Sequence, residues 1–406
     1  MTHRFVAHYS EVALKGNNRP EFVRALRRGI NRALAGVPHS VVYSEGRFII
    51  DAEGEEAEIG DRISKVFGIF WFAPVEVVTP EYSKIVARVL AAARAAAGRS
   101  FKVAVRRSDK SYPMSSQDLA AKLGAEVVGA TAKSVDLSHP ELTVHVDLVK
   151  GGAFVYSDRR KGPGGLPVGT AGRAMHLFSG GIDSPVAAWL LMKRGTRPVY
   201  LHFYLAPTPQ AAIESKITAI VRVLSSYEGK STLVLVPFAE YQLATAEVPG
   251  ELEPSLFRRF MRMTAEALAP RFDAKAISTG DSLSQAASQT LWNIASFDQG
   301  STLPILRPLL TYDKDEIVGL ARRIGTYDLS LEEYKDCCAM ITRHPRTRVK
   351  GEDLTEYVEK LKLGALVWRT LEKATLVTYN PAGSQLKASP LASALPGKQA
   401  LASRAT

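Results

Sequence analysis

The sequence has 406 residues, of which 46% are hydrophobic, and carries 52 Lys and Arg against 41 Asp and Glu, a formal net charge of +11. That length predicts two or three domains, and the hydrophobic content predicts packed globular structure. No N-terminal run reads as a signal peptide and no stretch of about 18 uncharged apolar residues occurs, which disfavours secretion and membrane spanning and gives a cytoplasmic expectation. The nearest apolar run, GIFWFAPVEVV, is interrupted by Pro74 and Glu76. Two cysteines in so long a chain fit a reducing compartment. The positive charge suits a polyanionic partner, though a basic protein without one is equally compatible with it.

In chain order, RFVAHYS reads as a strand, and a helix follows whose start is marked by Asn18 and Pro20 and whose end is marked by Gly36. Arg24, Arg28 and Arg32 recur every four residues and form a basic stripe opposite Phe22, Leu26 and Ile30, which also suits an ordinary solvated helix face. VVYSEGRFII predicts a strand pair about Glu45 and Gly46. A further helical patch and the apolar run to Val78 come next, then an amphipathic helix from Tyr82 that ends at Gly98. The strand FKVAV leads into Arg106, Arg107 and Lys110, followed by a helix around Leu119 to Val128 and the alternating strand LTVHVDLV. The first ~165 residues therefore mix short helices and strands in an α+β pattern.

The stretch RRKGPGGLPVGTAGRA breaks the texture and reads as a linker or a functional loop. Beyond it, strands and helices alternate: AMHLF, PVAAWLLMKRG, RPVYLHFYL, STLVLVPF, a helix around Phe257 to Leu268, AKAIS and YDKDEIVGLARRIG. This alternation predicts an α/β doubly wound parallel sheet. From about Asn380 the Ala, Ser and Pro content predicts a disordered tail over 380–406.

The most specific stretch is SGGIDSP, Ser179 to Pro185, between a strand and a helix that Ser184 is expected to cap and Pro185 to begin. Strand, glycine turn and helix make phosphate-binding geometry: Gly180 and Gly181 permit close approach, and the helix start presents N–H donors along its dipole. The loop is neither a Walker A motif nor a dinucleotide fingerprint. Asp183 in an anion site needs a role, either holding Mg²⁺ or setting the loop, which points to a nucleotide with its metal. A plain Gly-Gly turn is the bland alternative.

Cys337 and Cys338 stand side by side in EYKDCCAMITRHPRTR. Neighbouring cysteines close a strained ring, and the spaced pairs of a zinc site are absent, which leaves buried packing or a reactive thiol. Lys335, Arg343 and His344 would favour a thiolate, and Asp336 would oppose it.

SGGIDS after a strand resembles the PP-loop of the ATP pyrophosphatases, which cleave ATP between the α and β phosphates and transfer AMP to a substrate oxygen. HYSEVALKGNNRPEFVRALRRGINRAL, FKVAVRRSDKSYPMSSQDLAAKLG, GPGGLPVGTAGRAMHLFSGGIDSPVAAWLLMKRG, STGDSLSQAASQTLWNI, ILRPLLTYDKDEI and DCCAMITRHPRTR together, in this order, resemble the ThiI-type tRNA 4-thiouridine synthases over nearly the whole chain except the tail. The resemblance implies a ferredoxin-like domain over 1–60, with its end between 60 and 76, a THUMP RNA-binding domain over 61–167 and a PP-loop adenylation and thiolation domain over 172–379. It implies transfer of AMP to uridine O4, expected at position 8 of tRNA, and replacement of that oxygen by sulfur, because a uracil carbonyl must be activated before a sulfur nucleophile displaces its oxygen.

The resemblance assigns the ATP pocket to Leu177, Phe178, Ser179, Gly180, Gly181, Asp183, Ser184, His202, Phe203, Arg258, Gly280 and Gln289. For His202 and Phe203 a place in the core at the end of a buried strand serves equally well, and Arg258 also reads as a solvated helix residue. It gives catalytic roles to Asp183, to Lys314, which neutralises phosphate charge, and to Cys338, which carries a persulfide loaded by a cysteine desulfurase. Asp313 and Glu316 form a possible capping box beside Lys314, and without the resemblance this lysine reads as surface. Contacts to RNA phosphates are expected from Lys15, Arg24, Arg28, Arg106, Arg107 and Lys110 on the side of the tRNA acceptor arm. Mg²⁺ with ATP, possible near Asp183, and a homodimer complete the set. No cysteine follows Cys338, so the resemblance points to the short form without a rhodanese domain, and leaves in doubt the thiazole-synthesis role associated with that domain. Its three-cysteine cluster pattern is absent, and no iron-sulfur cluster is expected. Cys337 is left as a spare, a packing residue or a resolving thiol.

Overall fold

A strand covered on both faces reads as a nearly continuous apolar run, and RFVAHY becomes such a strand. In the computed structural model of the protein, which describes residues 1–334, 337 and 346–394, β1 (Thr2–Tyr9) buries Phe5, Val6, Ala7 and His8. The chain forms two units, Met1–Gly165 and Leu166–Thr406.

In the first unit, α1 (Arg19–Ala33), β2 (His39–Ser44), β3 (Arg47–Glu53), α2 (Glu56–Ser64) and β4 (Ile69–Pro74) follow β1. β5 (Glu76–Val78), α3 (Tyr82–Ala95), β6 (Ser100–Arg107), α4 (Ser116–Ala130), β7 (Ser134–Val135), β8 (Leu142–Val149), β9 (Gly152–Tyr156) and β10 (Arg160–Lys161) complete it. One sheet has the order β10-β4-β1-β3-β2, the other β5-β9-β8-β6-β7. The helices α1 and α2 cover one face of the first sheet through Leu26, Ile30, Ile59 and Ile63 against Phe5, Phe48 and Phe72. Helices α3 and α4 cover the second sheet through Ile85, Val89, Leu119 and Leu123.

Asn18 does not cap α1 as expected, because its side chain makes no cap bond; Pro20 does sit in the first turn. The chain changes sheets at Val75, so the first domain extends past residue 60 and takes in β4, and β10 later returns to pair with β4. Val6, Ala73, Val75, Phe154 and Tyr156 form an apolar cluster between the two sheets. Beside them Arg47, 1% exposed, donates to Asp147 at 3.0 Å and to Ser108 at 2.5 Å. A buried pair of this kind is costly to break from one side.

The second unit runs through β11 (Arg173–Leu177), α5 (Asp183–Lys193), β12 (Arg197–Tyr204), α6 (Pro209–Ile213), α7 (Lys216–Glu228), β13 (Ser231–Pro237), α8 (Ala239–Ala244) and α9 (Glu253–Leu268). It continues with β14 (Ala274–Ser278), α10 (Leu291–Asp298), β15 (Ile305–Leu306), α11 (Lys314–Ile324), α12 (Tyr327–Leu331), α13 (Gly351–Lys360), α14 (Leu363–Glu372), β16 (Thr375–Tyr379) and β17 (Gln385–Pro390). The sheet order is β15-β14-β11-β12-β13-β16-β17, parallel from β15 to β13 and antiparallel for the last two strands. The chain leaves β11 toward β12 and β13 on one side and later fills β14 and β15 on the other. That reversal places the topological switch between β11 and β14, where such sheets bind ligands at their carboxyl ends.

The expected disordered tail is corrected in its first part. Residues Gln385–Pro390 pair with β16 across a turn in which Asn380 accepts from Ser384 N at 2.8 Å, and Leu391 is fully buried. An edge strand pairs through its backbone, so a polar, Ala- and Ser-rich sequence can form one without an apolar signature. No helix among the described residues is long and apolar enough to cross a membrane.

Candidate active site

At the switch point β11 ends on Leu177, and SGGIDSP turns into α5, which begins at Asp183. The helix therefore starts one residue earlier than the expected cap at Ser184. Ser184 is spent differently: its hydroxyl donates to Ser179 O at 2.8 Å and accepts from Ser179 N at 3.1 Å, closing the loop on itself. Beneath the loop lies His176, fully buried on β11. Its Nε2 donates to Ser184 O at 2.9 Å, so Nδ1 accepts from Ser278 Oγ at 2.5 Å on β14. Burial pushes the His176 ring down to about 4, which keeps it neutral in this role.

Of two closely approached glycines, one faces side-chain ends that can shift and the other faces backbone. A Cβ on Gly180 would lie 2.8 Å from Lys216 Cε, and one on Gly280 would lie 3.0 Å from both Ser184 N and Ser184 Cα. Gly280 thus lets the β14 loop rest directly on the backbone of the phosphate loop.

A cavity of about 260 Å³ opens here. Its walls bring together Leu177, Phe178, Ser179, Asp183 and Ser184 from the loop, His202 and Phe203 from β12, and Arg258, Gly280 and Gln289. Two charge arrangements flank it. Asp183 accepts from Lys314 Nζ at 2.7 Å and from Gln285 Nε2 at 2.9 Å. Lys314 stands at the start of α11, where the Asp313 and Glu316 capping box is formed. On the other side Arg258 makes a two-pronged pair with Asp281 at 2.9 and 2.8 Å, and Arg307 and Thr279 reach the same carboxylate at 3.2 and 2.8 Å. Burial alone would raise the Asp281 carboxyl, but Arg258, Thr279 and Arg307 together hold it below its ordinary value. Arg258 is thus a half-buried, oriented cation rather than a solvated helix residue.

His202 is turned inward. Its Nδ1 donates to Phe178 O at 2.8 Å, and its Nε2 accepts from the Tyr334 hydroxyl at 2.8 Å. Phe203 packs edge-on against Phe257. Gln289 presents a buried Oε1 with no hydrogen-bond partner among the described residues, and a buried acceptor in that state invites a ligand donor such as an exocyclic amine. Cys337 lines the same cavity and donates from Sγ to Phe203 O at 3.2 Å. Cys338 lies outside the described residues, as do Lys335, Asp336, Arg343 and His344. The arrangement can take a phosphate chain on the loop and the N-terminus of α5, with Lys314 and Arg258 supplying charge and Gln289 a base-edge acceptor.

The residues expected to meet RNA all lie in the first unit. Arg24, Arg28, Arg106 and Lys110 are exposed, and Lys15 lies over the Phe22 ring. Arg107 departs from the expectation: half-buried, it donates to Tyr112 O and Met114 O and holds that loop.

Sequence reasoning missed His176, Asp281, Arg307, Tyr334 and Asn293. A histidine inside the apolar run AMHLF and a carboxylate directly after the strand-end glycine in STGDS were the available signals. Nothing local pointed to the others, whose partners lie far along the chain.

Three family descriptions match the chain: ThiI ferredoxin-like domain over residues 4–73, THUMP domain over 81–158 and thiamine biosynthesis protein (ThiI) over 169–363. Proteins named probable tRNA sulfurtransferase are similar to it. The one from Moorella thermoacetica is 38% identical over 380 residues, covering 93% of this chain and 97% of its own. The one from Thermus thermophilus is 38% identical over 386 residues, covering 94% and 95%. A crystal structure of a 4-thiouridine synthetase–RNA complex with bound ATP superposes with a TM-score of 0.84 at 34% identity, covering 93% of this chain and all of that one.

Proposed function

The chain belongs to the ThiI family, and from that premise we propose that it is an ATP-dependent tRNA uracil 4-sulfurtransferase. The observation that carries the reading is that a phosphate loop and a cysteine-bearing segment open into one cavity: Ser179, Asp183, Gln289 and Cys337 share its lining.

The uridine O4 attacks the α-phosphorus of ATP and pyrophosphate leaves, so the poor oxygen leaving group becomes part of AMP. The loop backbone, Lys314 and Arg258 stabilise the charge that grows on the phosphates. Loaded by a cysteine desulfurase, Cys338 then presents its terminal persulfide sulfur to C4, and AMP departs with the old oxygen. The S–S bond of the resulting adduct is cleaved by a second thiol, which frees 4-thiouridine and leaves a disulfide; an external thiol reductant returns the two electrons. Cys337, beside it in sequence, is a candidate for that second thiol.

Mg²⁺ with ATP fits the residues present, because this cation commonly takes one carboxylate plus substrate phosphates, and Asp183 supplies the carboxylate. Bound there it would neutralise phosphate charge. The tRNA acceptor arm meets the first unit through Lys15, Arg24, Arg28, Arg106 and Lys110, uridine 8 is the target, the enzyme works as a homodimer, and the cytoplasm is its place of action.

The test follows ATP conversion to AMP and pyrophosphate with and without tRNA, in the parent and in Cys338→Ser. The reading expects tRNA-stimulated AMP in both and loss of thiolation in the variant. Thiolation that survives Cys338→Ser would contradict the role of that residue.

A further inference from the structure

The described ends of the cysteine-bearing segment are each tied to a wall of the nucleotide cavity, and neither tie is used by the chemistry above. On the upstream side the Tyr334 hydroxyl donates to His202 Nε2 at 2.8 Å, and His202 passes the link to Phe178 O, a wall of the cavity, at 2.8 Å. A carbonyl can only accept, so Nδ1 carries the proton and Nε2 must receive the Tyr334 hydrogen. Lys216 Nζ secures the approach by donating to Ser330 O at 2.8 Å and Glu332 O at 2.7 Å.

On the downstream side Asn293 is 3% exposed and uses both ends of its amide. Nδ2 donates to Arg346 O at 3.0 Å and to Ala287 O at 2.7 Å, and Oδ1 accepts from Val349 N at 2.9 Å. Thr290 Oγ1 donates to Thr347 O at 2.7 Å. Ala287, Thr290 and Asn293 flank Gln289, which lines the cavity, so one short stretch touches both the nucleotide pocket and the chain leaving the cysteines.

We propose that Tyr334 and Asn293 are positioning residues that hold the cysteine-bearing segment against the nucleotide cavity, so that sulfur rather than water reaches the adenylated base. The inference rests on the reading of Cys338 as the sulfur carrier. Its physical basis is competition at one carbon. When water attacks the activated C4, AMP leaves with the old oxygen, the uridine is restored with the oxygen of water, and the net result is ATP plus water giving AMP and pyrophosphate. A carrier held in place shortens the lifetime of the adenylated base, because holding reactants in geometry replaces a bimolecular encounter.

Tyr334→Phe removes one hydroxyl, and Asn293→Ala removes the amide without adding bulk. The quantity read is 4-thiouridine formed per AMP released, with the KM for ATP and the melting temperature measured alongside. Positioning predicts that each variant keeps AMP formation and the KM for ATP within about twofold while the ratio of 4-thiouridine to AMP falls roughly fivefold or more. Each anchor is judged by its own variant. An unchanged ratio overturns that anchor, and so does a parallel loss of AMP and 4-thiouridine with a lowered melting temperature, which is what a purely structural role gives. Cys338→Ser separates the two levels. If it still thiolates, the carrier reading fails; if it does not and the two variants remain coupled, only the positioning fails.

Discussion

The arginines expected to meet RNA and the arginines around the cavity of the second unit stand in opposite environments. In the first unit Arg24, Arg28 and Arg106 stand in solvent, whereas Arg47 is buried and Arg107 half-buried. In the second, Arg258, Arg262 and Arg307 have side chains 15%, 4% and 8% exposed, each paired with a carboxylate. An exposed cation acts through the summed field of its face, so losing one matters little and salt screens the rest. A buried pair fixes a direction, and removing one member leaves an uncompensated charge that costs roughly 3–5 kcal/mol. On the proposed function, a surface that gathers a polyanion can be redundant, whereas a site that aligns a phosphorus, a carbon and a sulfur cannot.

The sharpest way to break that contrast is at Gly280. An alanine Cβ would meet the backbone of Ser184 at 3.0 Å and that of Asp183 at 3.2 Å, so the phosphate loop itself must move. We expect Gly280→Ala to lower AMP formation by roughly tenfold or more with a raised KM for ATP, because small displacements of a positioned group are expensive. Normal kinetics would show that the loop is not held by that contact.

Acid offers an intermediate test. Burial above all, with the charges of Arg47, Arg106 and Arg159, pushes His8 down to about 3, and burial with Arg159 and Lys102 pushes His145 to about 4. Both lie in the first unit, against His176 alone among these three in the second. Each ring stays neutral when folded and takes a proton near pH 6.5 when unfolded, so the unfolded chain binds more protons below that pH. Stability is complete above pH 6.5 and falls as acid is added, by on the order of 2 kcal/mol per ring at pH 5. His8→Phe, which keeps a ring against Trp71, is expected to flatten the loss between pH 7 and pH 5 in denaturant melts by about that amount. An unchanged slope would mean the ring titrates normally.

The smallest effects belong to the open face. Arg28→Ala or Arg106→Ala is expected to weaken tRNA binding modestly and to reduce the slope of log K against log salt by about 0.7–0.9 per contact. Slopes identical to the parent would remove those two residues from the RNA surface.

What the sequence reveals divides along the same line as local and distant contact. The turn Ser179 to Pro185 between strand and helix and the Asp313 and Glu316 capping box were legible because their parts lie within a few residues, where spacing encodes geometry. The alternation beyond residue 172 was legible because a doubly wound sheet repeats it. The Asp183 and Lys314 pair spans 131 positions and the His202 and Tyr334 pair 132, and no periodicity carries such a distance. Strand β17 was hidden because an edge strand needs backbone groups and no apolar face. Ser184 was misread as a cap because its hydroxyl has two uses at a helix start, and the loop takes the other.

The central claim is that loop and cysteine segment serve one reaction on tRNA. Its most direct test is nucleoside analysis of tRNA incubated with the protein, ATP, Mg²⁺, cysteine and a cysteine desulfurase. The account predicts 4-thiouridine that depends on ATP; tRNA left without it, while the desulfurase is active, would contradict the account.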